Sequence, residues 1–143
     1  MLESRSLRRE RPSMRLADPA RLLQSVNADP EFRLAARYWN ATLSLESPSG
    51  ALRVEIADGR VTTCREAETA QPATITVQAP DEGWAEFLAA VPKPFYQDLI
   101  GGCVQHHGFA LSGDIHSLSA YYQASTRLFA VMRTLRAASK QES

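Results

Sequence analysis

His106 and His107, with Cys103 just upstream, are the residues of this chain best equipped for chemistry. Imidazoles titrate near neutrality and serve as acids, bases or metal ligands, and a thiol beside them could act as a nucleophile. The spacing argues against each use. Neighbouring side chains in an extended segment point to opposite faces, so the two histidines do not share one metal ion, and no carboxylate adjoins them. Cys64 and Cys103 each stand alone, with no CxxC or Cys/His ligand spacing, which speaks against a zinc site; one disulfide is open in principle, and two buried free thiols are the expectation for a cytosolic chain. The expectation for the pair is a polar, partly exposed turn beside a cavity mouth; a pH-sensitive contact with a ligand head group is the alternative.

The other reactive-looking groups reduce in the same way. Ser112-Gly113-Asp114 is no nucleophile elbow, which needs a glycine two residues to either side of the serine. Gly101-Gly102 lacks the pattern of a phosphate loop. Asp81 and Glu82, like Glu66 and Glu68, suit a helix cap and solvated strand ends. Tyr121 and Tyr122 are better candidates, because a buried phenol needs a partner that a head group or a water can supply. Helical neighbours lie about 100° apart, so only one of the two faces inward. No catalytic residue, metal ligand or cofactor is expected.

The elements that hold these groups are read from periodicity. The chain has 143 residues, 44% apolar and 22% charged, with zero formal net charge. That is one ordinary globular domain, with no bulk charge to attract nucleic acid. No run of about 18 apolar residues exists to span a bilayer, and the cytoplasm is the default location. Residues 1–15 form a basic arm, five arginines against two glutamates, ahead of a single domain over residues 16–139. Asp18-Pro19 and Asp29-Pro30 each start a helix, over residues 19–27 and 30–39. Alternation then predicts strands over 41–46, 52–56, 60–66 and 73–79, with Asp58-Gly59 as a hairpin turn. Read in sequence, these four make an antiparallel meander. Trp84, Phe87, Leu88 and Val91 fall on one helical face, and residues 95–100 form a further helical stretch that Gly101-Gly102 ends. A last strand at Phe109 and Leu111 leads into a long helix capped by Asp114, with Leu118, Tyr121, Tyr122, Leu128, Phe129, Met132 and Leu135 on its stripe and Ser125 at the gap. The fold class is therefore α+β: a mostly antiparallel five-stranded sheet, helices on one face, and a long C-terminal helix.

In this order the elements resemble the sterol carrier protein 2 (SCP-2)-like family. The residues that carry the likeness are the hairpin Ile56-Ala57-Asp58-Gly59-Arg60-Val61, the passage from Ala73-Thr74-Ile75-Thr76-Val77 through Pro80 to Trp84, and Gly108-Phe109-Ala110-Leu111-Ser112-Gly113-Asp114 before the final helix. The likeness covers roughly residues 20–135. One segment departs from it: Gly101 to Gly108 is longer and more polar than the family's short glycine-lysine turn. The resemblance implies an apolar tunnel between sheet and helices for a lipid, fatty acyl or sterol-like molecule, and in some members an accessory role as a dimer or on a larger enzyme.

Surplus aromatics in the helices agree with a concave apolar site. Its expected walls are Trp39, Leu43, Leu45, Trp84, Phe87, Phe95, Leu99, Phe109, Leu118, Tyr122 and Phe129. The expected function is non-catalytic binding of an apolar small molecule, without stable membrane insertion. An accessory or dimerisation domain docked on an enzyme, and a small enzyme using His106, His107 or Cys103, are the alternatives.

Overall fold

A computed structural model describes residues 16–89, Leu99 and residues 108–142. Among the described residues two short helices come first, α1 (Pro19–Ala28) and α2 (Pro30–Ala35). Strands β1 (Ala41–Ser47), β2 (Gly50–Ala57), β3 (Arg60–Ala67) and β4 (Ile75–Gln78) follow, then α3 (Asp81–Phe87). The described C-terminal part holds β5 (Ala110–Gly113), α4 (Ile115–Ala120) and the long α5 (Tyr122–Glu142). The stretch expected to be helical over 95–100, apart from Leu99, and the segment with Cys103, His106 and His107 lie outside the described residues, as do residues 1–15.

The sheet has five strands in the order β3-β2-β1-β4-β5, and every pair is antiparallel except β1 with β4. The expected four-strand meander is therefore corrected. Only β1 to β3 form it, and β4 returns on the far side of β1, parallel to it, with Leu43 opposite Ile75. The physical reason lies in residues 68–74, which cross the outer face of the sheet, are fastened there by two bonds, and reach the edge of β1 through a third. The Ala70 amide donates to Glu46 Oε2 at 3.3 Å, Arg53 donates to the Pro72 carbonyl at 2.7 Å, and the Thr42 amide donates to Thr74 Oγ1 at 2.9 Å. A meander would have left that face to solvent.

Alternation sets the inner face. Leu43 and Leu45, Leu52, Val54 and Ile56, Ile75 and Val77 are buried there beneath the helices. Edge strand β3 is held by Asn27 at the end of α1, whose amide donates to the Val61 carbonyl and accepts from the Val61 amide, each at 2.9 Å. That pair of hydrogen bonds occupies backbone groups an edge would otherwise present to another chain.

The helix signals fare unevenly. Asp29 caps α2, accepting from the Phe32 amide at 3.0 Å, and Asp114 caps α4, accepting from the Ser117 amide at 3.1 Å. Asp18 makes no side-chain cap bond, although Pro19 does open α1. Asp81 is the first residue of α3 rather than its cap, and accepts from Ser49 Oγ at 2.9 Å. Helix α2 stops at Ala35, short of the expected 39, and Tyr38 takes a left-handed conformation at φ 73°. The single C-terminal helix divides at Tyr121, which sits at φ −116°, ψ 32° between α4 and α5. Arg127 on α5 ties the bundle together through two 3.0 Å bonds to Asp29, and those bonds hold the Asp29 carboxyl below its ordinary range.

Cys64 faces the core from β3. Burial first, and the Asp18 charge second, push its thiol up to about 12. A raised thiol pKa contributes stability below the ordinary value of 9.0, and that contribution is lost as pH rises from there toward about 12. In a Cys103→Ser background at pH 8, Cys64 is expected to resist iodoacetamide while folded and to react fully in denaturant. Labelling of the folded protein at the rate of a free thiol would contradict its burial.

Candidate functional site

Four aromatic rings from three segments meet at the centre of the described core. Trp84 and Phe87 come from α3, Phe109 from the residue before β5, and Phe129 from α5. Phe87 and Phe129 meet edge to face with centroids 4.9 Å apart, Trp84 and Phe109 at 5.1 Å. Such geometries suit the ring quadrupoles and contribute beyond area burial. The indole N–H of Trp84 donates to the Glu46 carbonyl at 2.9 Å, which fixes α3 on the end of β1.

Beside the Phe87–Phe129 pair lies a recess of about 340 Å3, lined by Phe87, Leu99, Tyr122, Gln123, Ser125, Thr126, Phe129 and Arg133. Residues 122, 125, 126, 129 and 133 follow one another at helical spacing, so a single face of α5 supplies most of the wall. Arg133 is positioned by Phe87 twice over. Its Nε donates to the Phe87 carbonyl at 2.8 Å, and its guanidinium stands 4.7 Å from the ring centroid. The lining thus interleaves aromatic and aliphatic side chains with hydroxyls, an amide and a cation.

Of the residues expected from sequence, Phe87, Leu99, Tyr122 and Phe129 come together on this wall. Trp39, Leu43, Leu45, Trp84, Phe109 and Leu118 are buried in the surrounding core and do not line the recess. Phe95 lies outside the described residues. Trp39 is held on the other side of α4, stacked on Tyr121 at 5.1 Å with its indole N–H donating to Ser117 Oγ at 2.9 Å. The adjacent tyrosines therefore part, Tyr121 to Trp39 and Tyr122 to the recess. Gln123, Ser125, Thr126 and Arg133 escape a reading that follows apolar residues alone. Their spacing from Tyr122 and Phe129 is the signal that points to them.

A second polar feature lies on the opposite face of the sheet. Glu46 is only 3% exposed and accepts from Ser44 Oγ at 2.7 Å, from the Ala70 amide, and from Gln78 Nε2 at 3.2 Å. Three donors make a buried carboxylate tolerable and fasten the crossover. Among the described residues no group of three or more His, Cys, Asp or Glu side chains could hold a metal ion, and no helix is long and apolar enough to cross a membrane.

Comparison with known proteins places the architecture. No family model and no curated protein matches the sequence. Among solved structures, sterol carrier protein 2 superposes with a TM-score of 0.69 at 21% identity, over 82% of this chain and 97% of that one. A conserved hypothetical protein of Thermus thermophilus, described as possibly a sterol carrier protein, gives 0.64 at 22% identity, over 80% of this chain and 83% of its own. The ubiquinone synthesis protein UbiJ-SCP2 gives 0.54 at 17% identity, over 80% and 90%. The chain has the SCP-2-like fold.

Proposed function

We propose that this SCP-2-like domain is a non-catalytic binding module that takes an apolar small molecule, of lipid, fatty acyl or sterol-like kind, into the recess between α3, Leu99 and α5. The observation that carries the reading is the recess itself. Its volume of about 340 Å3 falls within the roughly 300–1,000 Å3 usual for small-molecule sites. Its lining joins Phe87, Leu99 and Phe129 to a few polar side chains of α5, a mixture common in such sites. The carrier names of the two highest-scoring structures compared above support the same assignment. The walls expected from sequence belong to this proposal in a reduced form: Phe87, Leu99, Tyr122 and Phe129 touch the ligand, and the buried remainder backs them.

Displacement of a fluorescent fatty acid, with native mass spectrometry of freshly purified protein, tests the reading. Uptake of one apolar molecule per chain is expected. The double substitution Gln123→Trp, Thr126→Trp should fill the recess from the α5 side and weaken uptake by about tenfold or more, the order expected when one large apolar group is kept from burial. A chain that takes up no apolar molecule, or one whose uptake ignores the filled recess, defeats the proposal.

A second reading is an accessory domain that dimerises or docks on an enzyme, and the likeness to UbiJ-SCP2, a ubiquinone synthesis protein, is what favours it. Light scattering at high protein concentration separates the dimer form of that reading from a monomeric carrier.

A further inference from the structure

The outer face of the sheet holds a buried carboxylate without an opposite charge. Glu46 is 3% exposed, and each of its donors is neutral. Oε2 accepts twice, from Ser44 Oγ and the Ala70 amide, whereas Oε1 accepts only from Gln78 Nε2, at 3.2 Å. Hydrogen bonds make such a group tolerable, but a buried charge is ordinarily matched by another of opposite sign. Among the described residues no cation pairs with it. Arg53, one diagonal step away on β2, is turned to the Pro72 carbonyl at 2.7 Å and to Glu55 at 3.5 Å.

Beside this carboxylate lies a pocket of about 500 Å3, lined by Glu46, Thr69, Gln78, Pro48, Pro80 and Ala110 among others. Strands β1 and β4 run parallel, so their C-terminal ends fall side by side, and the chain leaves them past Pro48 and Pro80. The pocket shares no lining residue with the recess beside Phe87. At the same end of the strands Asp81 accepts from Ser49 Oγ, while its buried Oδ1 meets no donor among the described residues. Its charge adds to that of Glu46. Gln78 is exposed and held by its one bond to Glu46, so it is the side chain that yields to an entering group.

We infer that this pocket binds a primary ammonium group carried on a short apolar stem. The ammonium donates to Glu46 Oε1, and the Gln78 amide oxygen and the Thr69 hydroxyl are further acceptors on the same lining. The stem lies against Pro48, Pro80 and Ala110. An ammonium is a compact charge with three donors, which suits one open carboxylate oxygen flanked by neutral acceptors. A guanidinium binds best through two parallel bonds to both oxygens, and Oε2 is already engaged twice. A divalent metal ion calls for a cluster of oxygen ligands, and among the described residues no group of three acidic side chains supplies one. The inference does not depend on the apolar-ligand reading, because its site lies elsewhere and its readout is amine binding.

The test is calorimetric titration of the full chain with n-butylammonium chloride, and with n-butanol as the uncharged match. One ammonium per chain is expected, with the alcohol weaker by about tenfold or more, the order of a hydrogen bond to a charged group. Glu46→Gln keeps the size of the side chain, removes its charge, and should weaken the amine by a similar factor. Because Glu46 also fastens the crossover, Ala110→Trp is the second variant. Ala110 is exposed on β5 opposite Gln78, so the indole should fill the pocket and leave the bonds of Glu46 in place. Fatty-acid uptake by Ala110→Trp should match that of the unaltered chain, which separates failure of this site from failure of the recess. The lysine stand-in Nα-acetyl-lysine methylamide distinguishes the source of the ammonium. Tighter binding than butylammonium assigns the pocket to a lysine of a polypeptide, weaker binding assigns it to a free amine, and both uphold the ammonium site. Equal binding of the alcohol, no binding of the amine, or an amine affinity that neither variant changes would each overturn the inference.

Discussion

Replacing Trp84 by alanine should cost about 3–5 kcal/mol, the range for deleting a fully buried indole from a packed core. Against a total of about 5–15 kcal/mol for an ordinary domain, that removes a large share of the folding free energy. At about 3 °C per kcal/mol for a chain of this length, melting should fall by roughly 10–15 °C. The size of the effect follows from position. Trp84 touches the rings of Phe87, Phe109 and Phe129, so its loss opens a void at the junction of α3, β5 and α5. The hydrogen bond is the smaller part. The Glu46 carbonyl that accepts from the indole also accepts from the Ala79 amide at 3.0 Å, so it is not orphaned when the indole goes. Trp84→Phe, which keeps most of the ring volume and loses the N–H, should therefore cost about 1–2 kcal/mol. Urea denaturation of the two variants separates the terms. Equal losses would mean that the hydrogen bond, not the ring cluster, holds α3 in place.

The same cluster shows what periodicity could and could not convey. Leu52, Val54 and Ile56 alternate, and all three are buried on one face. Asp58-Gly59 makes the turn that joins β2 to β3, with both residues at positive φ. Such signals are local, and local backbone preferences carry them. The partner of β4 is not legible, because alternation in Ile75 and Val77 says which face is inward and nothing about which strand lies alongside. Its answer is written in the crossover: Ala70, Pro72 and Thr74 bond to Glu46, Arg53 and Thr42 across the sheet, contacts between segments far apart in sequence. Glu46 reads as an outward strand residue and is buried because that crossover covers it. The break at Tyr121 is hidden for the opposite reason. The apolar stripe continues through it, while Tyr121 turns aside to stack on Trp39. In the candidate site the apolar wall is legible and the polar wall is not. Ser125 reads as a gap in the stripe and Arg133 falls outside the apolar pattern, although both share the helical face of Tyr122 and Phe129.

Gly113 carries the second large expectation, and it tests the seam between the two halves of the chain. The residue sits at φ +102°, where a side chain is strained, and a Cβ there would lie 2.2 Å from the Thr74 carbonyl oxygen and 3.2 Å from the Ile75 Cα. Both neighbours are backbone, so no side-chain rotation can make room. Thr74 is a poor place to yield. Its carbonyl accepts from the Asp114 amide at 2.8 Å, and its hydroxyl oxygen accepts from the Thr42 amide at 2.9 Å. Pushing β5 away thus disturbs the cap of α4, and with it Ser117, which receives the Trp39 N–H. Gly113→Ala should cost about 2–6 kcal/mol, combining roughly 1–3 for the backbone conformation with roughly 1–3 for the overlap. Gly50→Ala is the matched control, because Gly50 also has positive φ, at +145°, yet its Cβ would meet nothing nearer than the Ala67 oxygen at 3.8 Å. The difference between the two variants in urea midpoint reads the close approach alone. If Gly113→Ala were no worse than Gly50→Ala, β5 would have to lie farther from Thr74 than described, and the strand that leads into α4 and α5 would not be anchored at this seam.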